Sequence, residues 1–360
     1  MKVLSLFDGM SCGQIALNRL GIKVDKYYAS EIDKYAIKVT QANFPETIQI
    51  GDVCDIKAED YQDVDLIMAG SPCQGFSFAG KQLAFNDPRS ALFFEFIRLL
   101  KEIKPKYFLL ENVKMKKEYL QVISEQVSAC YPEIPFGVEP IFINSSLVSA
   151  QSRQRYYWTN IPNITPPEER GIVLRDILEE NPGENPVKDT PRNQRHYKNL
   201  DEKSLCMTAT MYKGAGNNGM TLVPQHIGTA VDVNGHDILK RVYSPDGKSP
   251  TVNTCQGGNR EPKVVVGAYR GRYNEDGSTS QKLELRKDTK SNSLTTVQKD
   301  NVLTKDKVYW RKLTPLECER LQTVPDNYTN HVSNSRRYQM LGNGWTIEVI
   351  CHILKNMEIN

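Results

Sequence analysis

A cysteine directly follows a proline in Gly-Ser-Pro-Cys-Gln-Gly-Phe-Ser, residues 70–77, and the run ahead of it, Val64 to Gly70, is apolar except for Asp65. A thiolate is a soft nucleophile available near neutral pH, and a loop rich in amides and helix ends favours it further. The apolar run reads as a buried strand of a parallel sheet. Cys73 then falls just past a carboxyl end, where open α/β sheets hold ligands. Alone, it reads as well as a small buried thiol with no chemistry. Three further elements accompany it: Glu111-Asn112-Val113 after the apolar run Tyr107 to Leu110, Gln151-x-Arg153-x-Arg155 before a strand, and Gly342-Asn343-Gly344 near the end of the chain. Taken separately, Glu111 is a strand-end carboxylate, and the two arginines would pair with phosphates or carboxylates.

A second set of residues has the spacing of a nucleoside site. Phe7-Asp8-Gly9-x-x-x-Gly13 joins a strand to a helix, and a glycine turn there lets a ligand approach the backbone and the helix N-terminus. Glu31 closes the next strand, 22 residues after Gly9, where acidic side chains grip a ribose hydroxyl pair. Asp52 closes the third strand within reach of an adenine amino group. The glycines lack the GxGxxG spacing and no pyrophosphate fingerprint occurs elsewhere, so S-adenosylmethionine fits better than a nicotinamide dinucleotide.

The elements that must position these residues alternate between strand and helix. Short apolar strands at Val3–Phe7, Tyr27–Ser30, Ile48–Ile50, Leu66–Ala69 and Tyr107–Leu110 are separated by helical signals at Gln14–Leu20 and Ala91–Ile103. That pattern predicts an α/β fold with a doubly wound, mostly parallel sheet. From about Pro162, prolines, glycines and short strands take over, which predicts a smaller β-rich domain. Its phrases at 204–219, 249–261 and 292–301 resemble one another. The domains expected are 1–175, 176–307, and 308–360 returning to the first. Thr314-Pro315 with Glu317 announces a capped helix, and Ile347–Met357 a last apolar one.

At 360 residues the chain is long enough for two domains. Residues 188–300 carry 18 Lys+Arg against 12 Asp+Glu, whereas the rest carries 28 against 31, so the middle is suited to a polyanion. No stretch approaches the roughly 20 apolar residues of a membrane span, and the first residues turn acidic too soon for a signal peptide. Eight cysteines without a CxxC pair or zinc spacing predict neither disulfides nor structural metal, and a reducing cytoplasm.

In order, FDGMSCG, SEID, GDVCDI, GSPCQGFS, ENV, QSRQR, RKLTPLECERLQ and QMLGNGW resemble the motifs of the DNA (cytosine-5-)-methyltransferase family. The resemblance covers about 1–160 and 308–360. It implies the Rossmann-like fold of S-adenosylmethionine-dependent methyltransferases, double-stranded DNA as substrate and no metal. Cys73 would add to cytosine carbon 6 and make carbon 5 nucleophilic. Glu111 would face ring nitrogen 3, and Arg155 the carbonyl oxygen, with Arg153 bracing the loop and the intermediate. The cofactor would lie against Phe7, Asp8, Gly9, Gly13, Glu31, Ile32, Asp52, Val53, Pro72, Asn343 and Trp345. The target base must be flipped out of the stack. Residues 74–90 would close over the DNA, bringing Gln74, Ser77, Lys81, Gln82 and Arg89 to it. The middle would read bases, with Thr251 or Thr295-Thr296 beside the flipped nucleotide. FDGMSCG and the Trp345 of GNGWTIEV are closer to the de novo methyltransferases of animals than to most bacterial members.

The compact length suggests a bacterial or phage modification enzyme, monomeric and cytoplasmic, with a cognate restriction endonuclease as a genetic partner. Two alternatives stay open: a tRNA cytosine-5 methyltransferase on the same scaffold, and a catalytically silent DNA-binding regulator.

Overall fold

The computed structural model describes residues 1–71, 91–179, 186–187, 190–198, 201–213, 220–226, 228–229, 241–242, 267–273, 279–285, 301–302 and 309–358. The chain divides into two compact units: Met1–Pro182 with Lys198–Thr221 and Leu313–Asn360, and Gly183–Tyr197 with Leu222–Lys312. Lys198–Thr221, which the composition places in the inserted segment, thus groups with the first unit. Ser204 accounts for this, since its N–H donates to Ala150 O at 2.7 Å and its O accepts from Ser152 N at 3.1 Å.

The first unit is built on one seven-stranded sheet in the order β3-β2-β1-β4-β5-β7-β6. Its strands are β1 (Lys2–Leu6), β2 (Lys26–Ser30), β3 (Ile48–Gln49), β4 (Leu66–Ala69), β5 (Tyr107–Val113), β6 (Ile141–Asn144) and β7 (Gln154–Thr159). The first five run parallel, and β7 is antiparallel to both β5 and β6. Helices α1 (Cys12–Arg19), α2 (Lys34–Asn43), α3 (Ala91–Ile103) and α4 (Lys117–Ser128) connect them. This is the doubly wound α/β sheet predicted from the alternation.

Its central strands are apolar at consecutive positions because both faces are covered. Leu4, Leu6, Ile67, Ala69, Phe108 and Leu110 form one core with Phe93, Phe96, Leu99 and Leu100 of α3. Each buried aromatic contributes on the order of 1.5–3 kcal/mol. On α1, Gly13 lets the helix approach β4 closely: a Cβ there would stand 2.4 Å from Met68 Cε.

One strand runs further than its apolar run suggests. β4 stops at Ala69 opposite Leu110, but β7 pairs with Glu111, Asn112 and Val113 and extends β5 past that point. Glu111 is therefore held in a strand rather than in the turn after it. α4 gave little periodic signal because only Ile123 and Val127 of it are buried.

The carboxyl-terminal helices are α6 (Pro315–Leu321), α7 (Asn334–Asn343) and α8 (Ile347–Leu354). α6 starts with the predicted capping box, in which Thr314 Oγ1 accepts from Glu317 N and the Glu317 carboxylate accepts from Thr314 N. α7 is polar until its last turns, where Met340 and Leu341 are buried, and is pinned by a buried pair: Arg337 Nη2 lies 3.0 Å from Glu319 Oε1. No described helix is long and apolar enough to cross a membrane.

The second unit contains short antiparallel sheets and the short helix α5 (Pro191–Gln194). β8 (Pro186–Val187), β9 (Leu222–His226) and β15 (Tyr309–Lys312) form one sheet with β15 in the middle. β12 (Gly267–Tyr273) pairs with β13 (Thr279–Leu285) and β14 (Asn301–Val302), and β10 (Gly228–Thr229) with β11 (Arg241–Val242).

Candidate active site

The carboxyl ends of β1, β2, β4 and β5 carry the candidate residues. After β1 the chain enters the left-handed region three times, at Phe7 (φ 55), Gly9 (φ 58) and Ser11 (φ 59). At the two non-glycine positions this costs roughly 1–2 kcal/mol each. The turn is held by several bonds. Asp8 N donates to Ser30 O at 3.1 Å, Ser11 N to Asp8 O at 3.0 Å, and Gly9 N to Glu31 Oε2 at 2.7 Å.

Glu31 is fixed from its other side as well, since Oε1 accepts from Ile32 N and Asp33 N, both at 2.8 Å. A carboxylate has about four acceptor positions, and with three in use this one retains one, on Oε2, for a ligand hydroxyl. Next to it Ile32 is 75% exposed, an apolar side chain set at a strand end where a flat base would cover it. Open space flanks the loops on both sides: a Cβ added at Gly9 or Gly51 would meet nothing within 4 Å. Asp52 caps the next turn through Cys54 N at 3.0 Å. A hydroxyl acceptor, an apolar platform and a second carboxylate around open backbone fit S-adenosylmethionine.

Other members of the cofactor set are placed differently. Asp8 turns inward, accepting from Tyr27 Oη at 2.8 Å and from Ser11 Oγ. Burial pushes its carboxyl up to about 6, against the opposing effect of these hydrogen bonds. Val53 is 2% exposed and belongs to the core, and Gly13 is in contact with Met68. Asn343 is exposed at the end of α7.

At the end of β5, Glu111 is 8% exposed and flanked on both carboxylate oxygens. Arg155 Nε stands 2.8 Å from Oε1, and Trp345 Nε1 donates to Oε2 at 3.1 Å. The antiparallel ladder sets this pair: Arg155 is opposite Val113, two residues beyond Glu111 and so on the same face of the sheet. Asn112 Nδ2 donates to Ser71 Oγ at 3.1 Å, tying β5 to the end of β4 two residues before Cys73.

Arg153 does not join this cluster through its donors. Buried at 3% exposure, it donates to Met207 O (3.0 Å), Gly342 O (3.2 Å) and Gly344 O (2.8 Å). It braces the turn that carries Trp345. Gln322 does the same work from α6, donating to Leu341 O at 2.8 Å and Gly344 O at 3.0 Å. Sequence reasoning missed Gln322, Tyr27 and Ser71, which are polar residues distinguished only by their burial and partners. Pro72, Cys73, Gln74, Ser77, Lys81, Gln82, Arg89, Thr251, Thr295 and Thr296 lie outside the described residues.

A second thiol close to the site is buried, which disfavours its thiolate. Cys12 is buried, and desolvation pushes it up to about 12, although Trp345 N donates to its sulfur at 3.4 Å.

The fold is the Rossmann-like one of S-adenosylmethionine-dependent methyltransferases. Among solved structures, the Dnmt2 methyltransferase of S. pombe has a TM-score of 0.62 at 18% identity, covering 98% of this chain and 97% of that one. The chain belongs to the C-5 cytosine-specific DNA methylase family, whose model matches residues 1–358. It is similar to the orphan methyltransferase M.Rho11sI of Bacillus phage rho11s, 28% identical over 99% of this chain and 97% of the relative. The type II methyltransferase M.HhaI of Haemophilus parahaemolyticus is 27% identical over 99% of this chain and 94% of its own length.

Proposed function

We propose that this member methylates carbon 5 of a cytosine flipped out of double-stranded DNA, using Cys73 as nucleophile. The observation that carries the proposal is the buried Glu111–Arg155 pair at the end of β5, bonded through Asn112 and Ser71 to the strand that leads into Cys73. The Cys73 thiolate forms a bond to carbon 6, and the electron pair of the 5,6 double bond makes carbon 5 nucleophilic. Glu111, once it carries a proton, donates to ring nitrogen 3 and Arg155 donates to the carbonyl oxygen, so the charge that builds up on the ring meets fixed donors. S-adenosylmethionine, when bound, supplies the electrophilic methyl group. Loss of the carbon 5 proton to a base then restores the double bond as the sulfur leaves.

Glu31, Ile32, Gly9 and Asp52 would hold that cofactor: Glu31 a ribose hydroxyl, Ile32 the adenine face. Phe7 and Pro72 would line the same pocket. The second unit and residues 74–90 would read and clamp the DNA, with Lys81 and Arg89 on phosphates. The similarity to phage orphan and type II methyltransferases supports a modification role; the enzyme would act as a monomer, with or without a partner endonuclease.

The test is incubation with labelled S-adenosylmethionine and either duplex DNA or tRNA, followed by trapping on 5-fluorocytosine DNA. A denaturation-resistant adduct on duplex DNA that disappears in Cys73→Ala is expected. Labelling of tRNA alone, or methylation by Cys73→Ala, would overturn the proposal. Bisulfite sequencing of DNA from expressing cells gives the target site.

A further inference from the structure

Trp345 sits where the cofactor wall was expected, yet its one polar atom points elsewhere. Its indole N–H, which can only donate, reaches Oε2 of Glu111 at 3.1 Å, while the ring is 8% exposed. Both ends of the residue are anchored. Its main-chain N–H donates to Cys12 Sγ at 3.4 Å, and the turn before it is held by Arg153 and Gln322 at Gly344 O. The indole edge also lies over the backbone at Gly70: a Cβ there would come within 2.9 Å of Nε1 and 3.3 Å of Cζ2. Gly70 therefore makes room for the ring three residues ahead of Cys73. A Cβ at Gly344 would likewise come within 2.8 Å of Met10 Cε and 3.2 Å of Cys12 Sγ. Two glycines, a buried thiol and a buried arginine thus fix one hydrogen bond.

We infer that Trp345 is a positioning residue for the attack step: it holds Oε2 of Glu111 while Arg155 holds Oε1, and so fixes the carboxyl group's orientation toward the base. With only Arg155 as partner, Glu111 turns about its side-chain torsions and presents nitrogen 3 with a range of geometries. With both, one orientation is retained before DNA arrives, and no reorganisation is needed as the thiolate adds. This role rests on the assignment of Glu111 in the proposed function, and it makes Trp345 act through Glu111 rather than through the methyl donor.

The measurement is release of tritium from DNA containing 5-tritiated cytosine. This reports thiol addition and proton exchange without the methyl donor. Trp345→Phe, which keeps an aromatic ring but removes the N–H, should slow exchange and 5-fluorocytosine adduct formation about 10- to 100-fold, the effect of one charge-assisted hydrogen bond. Its dissociation constants for duplex DNA and for S-adenosylmethionine should stay within about twofold of the parent's. Gly70→Ala, which displaces the indole from the other side, should slow exchange in the same direction. Glu111→Gln separates the two claims. If it exchanges at the parent's rate, the assignment of Glu111 fails. If it is slow while Trp345→Phe exchanges normally, only the role of Trp345 fails. Weakened S-adenosylmethionine binding by Trp345→Phe with normal exchange would make the residue a cofactor wall and overturn the inference.

Discussion

Replacing Arg153 by methionine tests whether that arginine braces the protein or touches the substrate. Methionine roughly preserves length and apolar bulk but removes every donor. Three carbonyls lose a partner: those of Met207, Gly342 and Gly344. Gly344 O keeps a donor from Gln322 Nε2 at 3.0 Å, so its loss adds little. The other two belong to buried residues, and an unmet buried acceptor costs about 1–3 kcal/mol. Part of this is offset because a cation no longer has to be desolvated; burial already disfavours the charged guanidinium. The net loss should be about 3 kcal/mol, which for a domain of this size lowers the Tm by roughly 6–12 °C. Arg153→Lys, with one ammonium reaching fewer carbonyls, should fall between. Thermal unfolding followed by circular dichroism reads the shift, and adduct formation well below the Tm reads the chemistry. A variant with the parent's Tm and no adduct would show that Arg153 contacts the reacting base and would refute this account.

Other outcomes follow from the same geometry. Glu319→Ala leaves Arg337 buried without its carboxylate and should cost about 3–5 kcal/mol, seen as a large fall in the denaturant midpoint; an unchanged midpoint would remove the pair from the account of α7. Asp8 has a folded value of about 6, above its ordinary 3.8, so the folded state binds the extra proton between those values. Stability should therefore decline by up to about 3 kcal/mol as pH rises from 4 to 6 and level off above. Asp8→Asn should lack that slope, and equal slopes in both proteins would count against the burial of Asp8. Gly342→Ala places a Cβ 2.3 Å from the backbone of Thr208, which cannot turn aside, whereas Gly9→Ala enters open space and costs only about 1–2 kcal/mol of left-handed strain. Denaturation of the two variants should show Gly342→Ala as the more damaging, and the reverse order would contradict the packing of α7. Iodoacetamide at pH 8 should label exposed Cys54 well before Cys12 or Cys351, the latter pushed up to about 11 by burial; mass spectrometry of the peptides reads the order.

Much of the sheet was legible because its strands are short apolar runs buried on both faces, and α3 because its aromatic residues recur at helical spacing. α7 was not, since it buries only Met340 and Leu341 as apolar side chains and is otherwise held by a buried ion pair, and charges such as Arg337 read as surface in a sequence. Glu111, Arg155 and Glu31 were legible as residues at strand ends. Their partners were not: register alone sets Arg155 beside Glu111, and nothing local distinguishes an arginine like Arg153 that binds carbonyls. Asp8 was read as facing a ligand because position after a strand says nothing about which way a carboxyl group turns.

Both departures of the chain into the second unit contribute to one sheet, in which β15 is hydrogen-bonded to β8 on one side and to β9 on the other. The tract between His226 and Tyr309 begins and ends on neighbouring antiparallel strands, so its two ends are held together by backbone pairing. Closing such a loop depends only logarithmically on its length, so doubling the tract between those strands would add about 0.6 kcal/mol. Segments of very different length can be spliced at this base at nearly constant thermodynamic penalty, which is the condition under which one stem can carry many different heads.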